Sequence, residues 1–427
     1  IVPTIRRGRL VARFDTLPEE LPLRVLAASC YYVENDTPVL DALPLQLPAA
    51  VRRGRAAELI RKVRLWLRTL LSALPRRGSP RFLQGGVAQR YRKLYDNPAT
   101  RPHLKVLMGD QVYLDAPVRD FYRHEPPASL ARRVARSYQR SWDVLGEFLT
   151  LGANVCVSDD HEFWNDYPND PPFLWRSLQD PEAREAFERA ALDHLRWMQV
   201  ARPTYHVTVG PRGSRPQLAV FVADTRIHRT TADCEDPRFM RDEDLADLVT
   251  WIDELRCPGV LVVGQPLIVA AAGAFDDNLR SYTRQYDELC RALLRSAHDV
   301  VVVCGDSHFG RVSTMKMPDT GRRHIEVISS PLTVLEGAEA SVSTELPEGL
   351  DVFPPGAEGT ERTGLAEWVN AVPGWGPEAI CEDHAMLLGF SAGDDGGVEL
   401  TVGAFLMRRL DAGGGPKLAW TERFDLH

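Results

Sequence analysis

Cys30, Asp110, Tyr113, Asp159, Asp160, His161, Asp224, Arg226, Gln265, Asp306 and His308 share one property: each follows an apolar run where that run breaks into a polar turn. The runs are LRVLAASC, KVLMGDQVY, NVCVSDDHE, LAVFVADTR, GVLVVGQP and DVVVVCGDSH. The side chains combine carboxylate oxygens, imidazoles, a phenol and a thiol, which are the donor types that hold cations. Their convergence would make a site for two or more metal ions.

The elements that must position them follow from the runs. Continuous Val, Leu, Ile and Ala suit strands covered on both faces, and ligand sites of α/β sheets lie at the carboxyl ends of strands. Three- and four-residue apolar spacing predicts helices over 49–74, through ASLARRVARSYQRSWDVLGEFL, and over 179–199, 240–255 and 277–297. Residues 205–209 and 217–223, separated by GPRGSRP, predict a hairpin. HIEVIS (324–329), HAMLLGFSA and VELTVGAFLMRR predict further strands. Residues 333–380, rich in Gly, Pro and Glu, predict a long irregular segment. Candidate ligands run from residue 30 to residue 308, so one domain must gather them, with its core over about 24–410 of the 427 residues.

A net charge of -8 argues against nucleic acid as a partner, since phosphate-backbone binders carry a basic field. No apolar stretch approaches the roughly 18 residues of a membrane span. Seven cysteines with no C-x-x-C pair fit a reducing, cytoplasmic setting, although the chain starts at Ile1 and an export signal could have preceded it. The basic insert at 49–78 sets Arg52, Arg53, Arg55, Arg61, Lys62, Arg64 and Arg68 against a single Glu58. Such a helix could touch an anionic membrane peripherally; the favoured expectation is that its apolar face packs inward and its arginines face water.

G-D-Q-V-Y (109–113), S-D-D-H-E-x-x-N (158–165) and G-D-S-H (305–308) together resemble the PhoD-like phosphatases, the alkaline phosphatase D branch of the metallophosphoesterases. A-S-C (28–30), A-D-T-R-x-x-R (223–229), Gln265-Pro266 and E-V-I-S-S-P (326–331) extend the match in order along the chain. The resemblance implies a two-sheet α/β sandwich with mixed sheets flanked by helices. It also implies hydrolysis of phosphate monoesters or diesters, on a small-molecule or lipid substrate, at a two- or three-metal centre.

By the same resemblance, Cys30 and Tyr113 would ligate ferric iron beside a bridging Asp110, and Asp160 would hold a second ion, calcium. Asp306 and His308 would complete the set; other divalent metals fit the same donors. Phenolate and thiolate do suit trivalent iron better than magnesium. His161 is the expected general acid, since it sits beside a ligand and titrates near neutrality. Arg226 is the expected phosphate clamp, and Asn165 a substrate contact. Bland alternatives stand beside each: a buried thiol at Cys30, a packing aromatic at Tyr113, a structural ion pair at Arg226, and turn residues at Asp306 and His308. The competing function is a catalytically inactive lipid-surface binding protein on the same fold.

Overall fold

The computed structural model describes residues 18, 20–33, 36, 86–116, 121, 125–171, 175–200, 202–210, 217–269, 278–317, 321–333, 365–368, 380, 382–394 and 396–427. The expected basic helix at 49–74 lies outside them. The strands are β1 (Leu23–Ala28), β2 (Leu104–Met108), β3 (Ala153–Val157), β4 (Thr204–Val209), β5 (Leu218–Ala223), β6 (Gly259–Val262), β7 (Val300–Cys304), β8 (Arg311–Lys316), β9 (Arg323–Ile328), β10 (Leu365–Trp368), β11 (His384–Ala392), β12 (Val398–Leu410) and β13 (Pro416–Leu426). Among the described residues five α-helices accompany them: α1 (Val87–Asp96), α2 (Pro127–Thr150), α3 (Pro181–Met198), α4 (Asp242–Asp253) and α5 (Thr283–Arg295).

The strands form two mixed sheets, ordered β13-β12-β11-β1-β2-β3 and β10-β8-β9-β7-β6-β5-β4. β1, β2 and β3 run parallel, as do β5, β6, β7 and β9. Antiparallel strands flank each parallel block, including the expected β4–β5 hairpin. The expected two-sheet α/β sandwich is therefore present.

β7 shows why the apolar runs become central strands. Val301 and Val303 pack between the two sheets with Val25, Val106 and Val327. Val300, Val302 and Cys304 point the other way, against Ile252 of α4 and Leu289 of α5. Both faces are dry, so period-2 alternation of polarity is absent. Each buried valine contributes about 1.5–3 kcal/mol of transfer free energy. α1 and α2 cover the first sheet through Tyr91, Leu94, Leu145 and Phe148. α3 begins at Asp180, whose side chain accepts the Ala183 N–H, followed by Pro181 in the first turn.

Four elements were not legible: α1, β8, β13, and β10, which lies inside the segment expected to be irregular. The core consequently extends past the expected limit near residue 410, with Trp420, Phe424 and Leu426 buried in the inter-sheet cluster. Among the described residues Cys30, Cys156, Cys234, Cys257, Cys290 and Cys304 are free thiols, and no helix is long and apolar enough to cross a membrane.

Candidate metal centre

The parallel strands of both sheets deliver their carboxyl ends to one rim of the sandwich, and the chain closes that rim with short polar links. Ser158 donates to Asp224 from its backbone N–H (2.8 Å) and hydroxyl (2.6 Å), tying β3 to β5. The Ser29 hydroxyl donates to the Ser329 carbonyl at 3.0 Å, and the Ser329 hydroxyl to the Ala27 carbonyl at 2.7 Å, tying β1 to β9. Two glycines make the close approach possible. A Cβ at Gly109 (φ 83°) would lie 2.2 Å from Asp159 Cβ, and one at Gly305 would lie 2.5 Å from Ser29 Cβ.

Glu162 organises two of the turns from beneath. Fully buried, its carboxylate accepts the backbone N–H groups of Asp110 (2.9 Å), Gln111 (2.8 Å), Val112 (3.3 Å) and Asp159 (3.0 Å), and the Gln199 amide (3.1 Å). The turn after β2 and the turn after β3 thus share one anion.

The donors meet above these turns. Ligand atoms of Cys30, Asp110 and His308 lie within 4.8 Å of one another, as do those of Asp110, Asp160 and His161, and those of Asp159, Asp160 and Asp306. Asp110 belongs to the first two groups and Asp160 to the last two, so carboxylates link the three. Cys30 Sγ is 3.4 Å from Asp110 Oδ2, as is the Tyr113 hydroxyl, which also stands 3.4 Å from His308 Nε2. Among the described residues the non-glycine residues with left-handed backbone are Cys30, Asp110, Asp166, Asp306 and His308, with φ between 52° and 63°. Four of these five are candidate donors. Each such residue costs on the order of 1 kcal/mol or more, and strain of this kind collects at functional sites.

The side chains fit cations. Asp159 Oδ2 and Asp160 Oδ1 are buried without a hydrogen-bond donor among the described residues, which is costly for carboxylate oxygens unless a cation completes them. Burial, reinforced by the charge of Asp110, pushes the Cys30 thiol and the Tyr113 phenol well above their usual values. Both are neutral without an ion, and ligation would release their protons. Burial likewise raises Asp110 well above the carboxylate range despite His161, and raises Asp159 to about 7 despite Arg226. Asp160 is also buried, but His161 and Arg226 outweigh that and hold it below its ordinary value. Burial and His161 together depress His308 to about 4, leaving it a neutral imidazole suited to ligation.

Two expected substrate contacts sit differently. Arg226 is 1% exposed. Its Nε donates to Asp159 Oδ1 at 2.7 Å, its Nη2 pairs with the same oxygen, and its Nη1 donates to the Tyr167 carbonyl at 2.7 Å. The geometry makes it the partner of Asp159 rather than a guanidinium open to substrate. The structural ion pair is thus present, with Asp159 as its partner, while the Arg226 backbone N–H donates to Asp224 Oδ1 at 2.9 Å. Asn165 spends its side-chain amide on Asp166 (2.8 Å) and its backbone N–H on Asp115 (2.9 Å).

Asp115 was not singled out in the sequence. It binds His161 Nδ1 at 2.8 Å and, with Asp160 and Asp110, outweighs the burial that would lower His161, raising it well above its usual value. Gln265, whose role was open, donates to Asp306 Oδ2 at 2.9 Å and accepts from Arg229 Nη2 at 2.7 Å. The spacing of Asp115, five residues after Asp110, carries no signal by itself. Arg229 and Glu162 lie inside the A-D-T-R-x-x-R and S-D-D-H-E-x-x-N motifs, yet Gln265 and the backbone of Asp110–Val112, which they hold, come from distant turns.

No protein-family model matches the chain, and no curated protein matches it. Among solved structures, one described as "GAP50 the anchor in the inner membrane complex of Plasmodium" is similar over 96% of this chain and 90% of its own, at 10% identity and a TM-score of 0.42. A likeness that distant bears on neither the site nor its chemistry.

Proposed function

We propose that the protein is a metal-dependent phosphoric ester hydrolase. The observation that carries this reading is the gathering of Cys30, Asp110, Tyr113, Asp160, Asp306 and His308 on one rim. Their donor atoms fall into overlapping groups, and donor-less carboxylate oxygens remain between them. Cations held there would neutralise charge on phosphoryl oxygens and lower the pKa of an attacking water. Iron on the Cys30–Tyr113–His308 side and calcium among Asp159, Asp160 and Asp306 suit the softness of each donor set.

The chain's own groups supply the rest. Asp110 and Asp160, each shared between donor groups, fix the spacing of the centre. Asp115 locks the His161 ring through Nδ1, leaving Nε2 as its remaining nitrogen. When protonated, that histidine can donate a proton to the departing oxygen or a hydrogen bond to the phosphoryl group. Arg226 and Gln265 hold Asp159 and Asp306 in place.

The test is metal analysis of the purified protein followed by assay against 4-nitrophenyl phosphate and bis(4-nitrophenyl) phosphate with iron and calcium supplied. Turnover that disappears in Asp110→Ala is expected. A metal-loaded protein that cleaves neither ester sinks the reading.

A further inference from the structure

A pocket of about 340 Å³ opens beside the candidate centre, and Tyr113 forms part of its wall. Tyr32, whose ring meets Tyr113 edge-on at 5.4 Å, and buried Trp175 form other parts. Arg133, Arg136 and Arg140 line it from α2. Their spacing follows from the helix: residues three and seven apart share a face. That face adjoins the apolar stripe of Leu130, Val134, Tyr138 and Leu145 that anchors α2 to the core. The pocket's guanidinium groups are therefore carried on a fixed helix rather than on a loop.

The charges are one-sided. Among the described residues no carboxylate lines the pocket. Arg133 is 3.2 Å from Glu125, outside the lining, and Arg136 donates through Nε to the Arg132 carbonyl at 3.2 Å. Three guanidinium groups around one concavity suit a phosphate or carboxylate, which they meet with paired N–H donors. Tyr113 is common to both places: it lines the pocket, and its hydroxyl stands 3.4 Å from Asp110 Oδ2.

We propose that the pocket selects substrates whose organic portion carries a second anionic group, so that the natural substrate is a small soluble bis-anionic phosphate ester. This deepens the phosphoesterase reading and rests on it. Arg133, Arg136 and Arg140 would be specificity residues, and the aromatic walls would enclose the carbon skeleton between the two anions.

The test compares fructose 1,6-bisphosphate with fructose 6-phosphate, by steady-state kinetics and by titration calorimetry, on wild type, Arg136→Glu, Arg140→Glu and Arg132→Glu. Arg136 and Arg140 are exposed, so folding should survive. Arg132 lies on the same helix outside the pocket and controls for net charge. Expected is at least a tenfold lower KM or dissociation constant for the bisphosphate in wild type and Arg132→Glu, lost in the other two variants. Equal values for the two sugars in wild type, or a preference unchanged by Arg136→Glu and Arg140→Glu, overturns the proposal. Absence of turnover on every ester counts against the phosphoesterase reading alone, because calorimetry still decides the pocket. Sedimentation with phosphatidic acid vesicles separates the other source of phosphate: pelleting that Arg136→Glu abolishes assigns the arginines to a lipid headgroup and overturns the soluble-ester proposal.

Discussion

The Cys30 thiol and the Asp110 carboxylate stand 3.4 Å apart at the ends of neighbouring parallel strands, and both residues hold left-handed backbone, φ 55° and 57°. The pair brings a buried acid and a buried thiol together; the Tyr113 hydroxyl and the His161 backbone N–H donate to the acid and the Ser330 hydroxyl to the thiol, but burial outweighs them. Asp110→Asn keeps the shape, and asparagine tolerates that backbone. In chelator-treated protein at pH 8 the variant should match wild type or exceed it by about 1–3 kcal/mol, since a carboxyl group whose ionisation burial opposes is removed. Its metal content should fall by half or more. Urea unfolding and elemental analysis measure the two effects; a variant that binds metal normally refutes the bridging role.

Glu162→Gln should behave in the opposite way. The amide turns N–H donors toward a cluster of backbone N–H groups that the carboxylate satisfies. A loss of about 2–4 kcal/mol is expected with or without metal, because buried donors are stranded. Denaturant midpoints are the readout, and an unchanged midpoint in the chelated protein removes Glu162 from its structural role.

Asp115→Asn tests the orientation of His161. Losing the carboxylate at 2.8 Å should lower the imidazole pKa and loosen the ring. We expect kcat to fall about 10–100-fold with KM nearly unchanged, and the alkaline limb of the pH profile to move to lower pH. An equal loss with no movement of that limb would indicate a merely structural partner.

Relative to the metal-loaded form, metal-free protein should lose stability as pH rises from about 5 to 7. Burial raises Asp110, Asp159 and Glu162, the last two to about 7. The folded state therefore binds more protons than the unfolded state across that interval, and stability declines with pH. His161, raised by Asp115 over the opposing effect of burial, adds the same sign above its ordinary value of 6.5. His308, depressed to about 4 by burial and His161, works against the trend between 4 and 6.5. Within the centre three carboxyl groups outweigh one imidazole; His384, His324 and His228, lowered by burial elsewhere, act alike with and without metal, so the centre's loss is read as the difference between the two forms. Saturating metal should remove the centre's share of the slope, which thermal melts with and without chelator will show.

Lys105 gives a second, independent pH signature. It lies on the outer face of β2 with its ammonium 5.0 Å from the Tyr91 ring centre, donating to the Leu151 carbonyl and, at 3.3 Å, to that of Gly152. Burial lowers its pKa to about 7. The unfolded chain binds the extra proton between pH 7 and 10.5, so this residue makes stability rise with pH there. Lys105→Met should flatten that rise and stabilise the protein at pH 7; a slope identical to wild type would contradict it.

The sequence showed the rim well and the supports poorly. Cys30, Asp110, Asp160, Asp306 and His308 were readable because each ends an apolar run, and a run dictates both its strand and the place where the strand stops. Asp115, Glu162 and Arg229 act on groups contributed by other turns, a relation that linear spacing does not encode. β8 reads RVSTMK, too polar for a core strand until Arg311 is seen paired with Glu326 at 2.8 Å beneath the sheet. β13 alternates charge with Trp420, Phe424 and Leu426 at the sheet's margin, and α1 builds its apolar stripe partly from Tyr91 and Tyr95. Arg226 reads as a substrate group because guanidinium pairs with phosphoryl oxygens bidentately. The buried carboxylate of Asp159 took it instead.

Cys30, Asp110 and Asp160 are carried by one sheet, and Asp306 and His308 by the other. An ion shared among them would be a rivet through both plates of the sandwich. Its affinity and the cohesion of the two halves are then one thermodynamic quantity, so any change that wedges the plates apart weakens ion capture even when every ligand is intact.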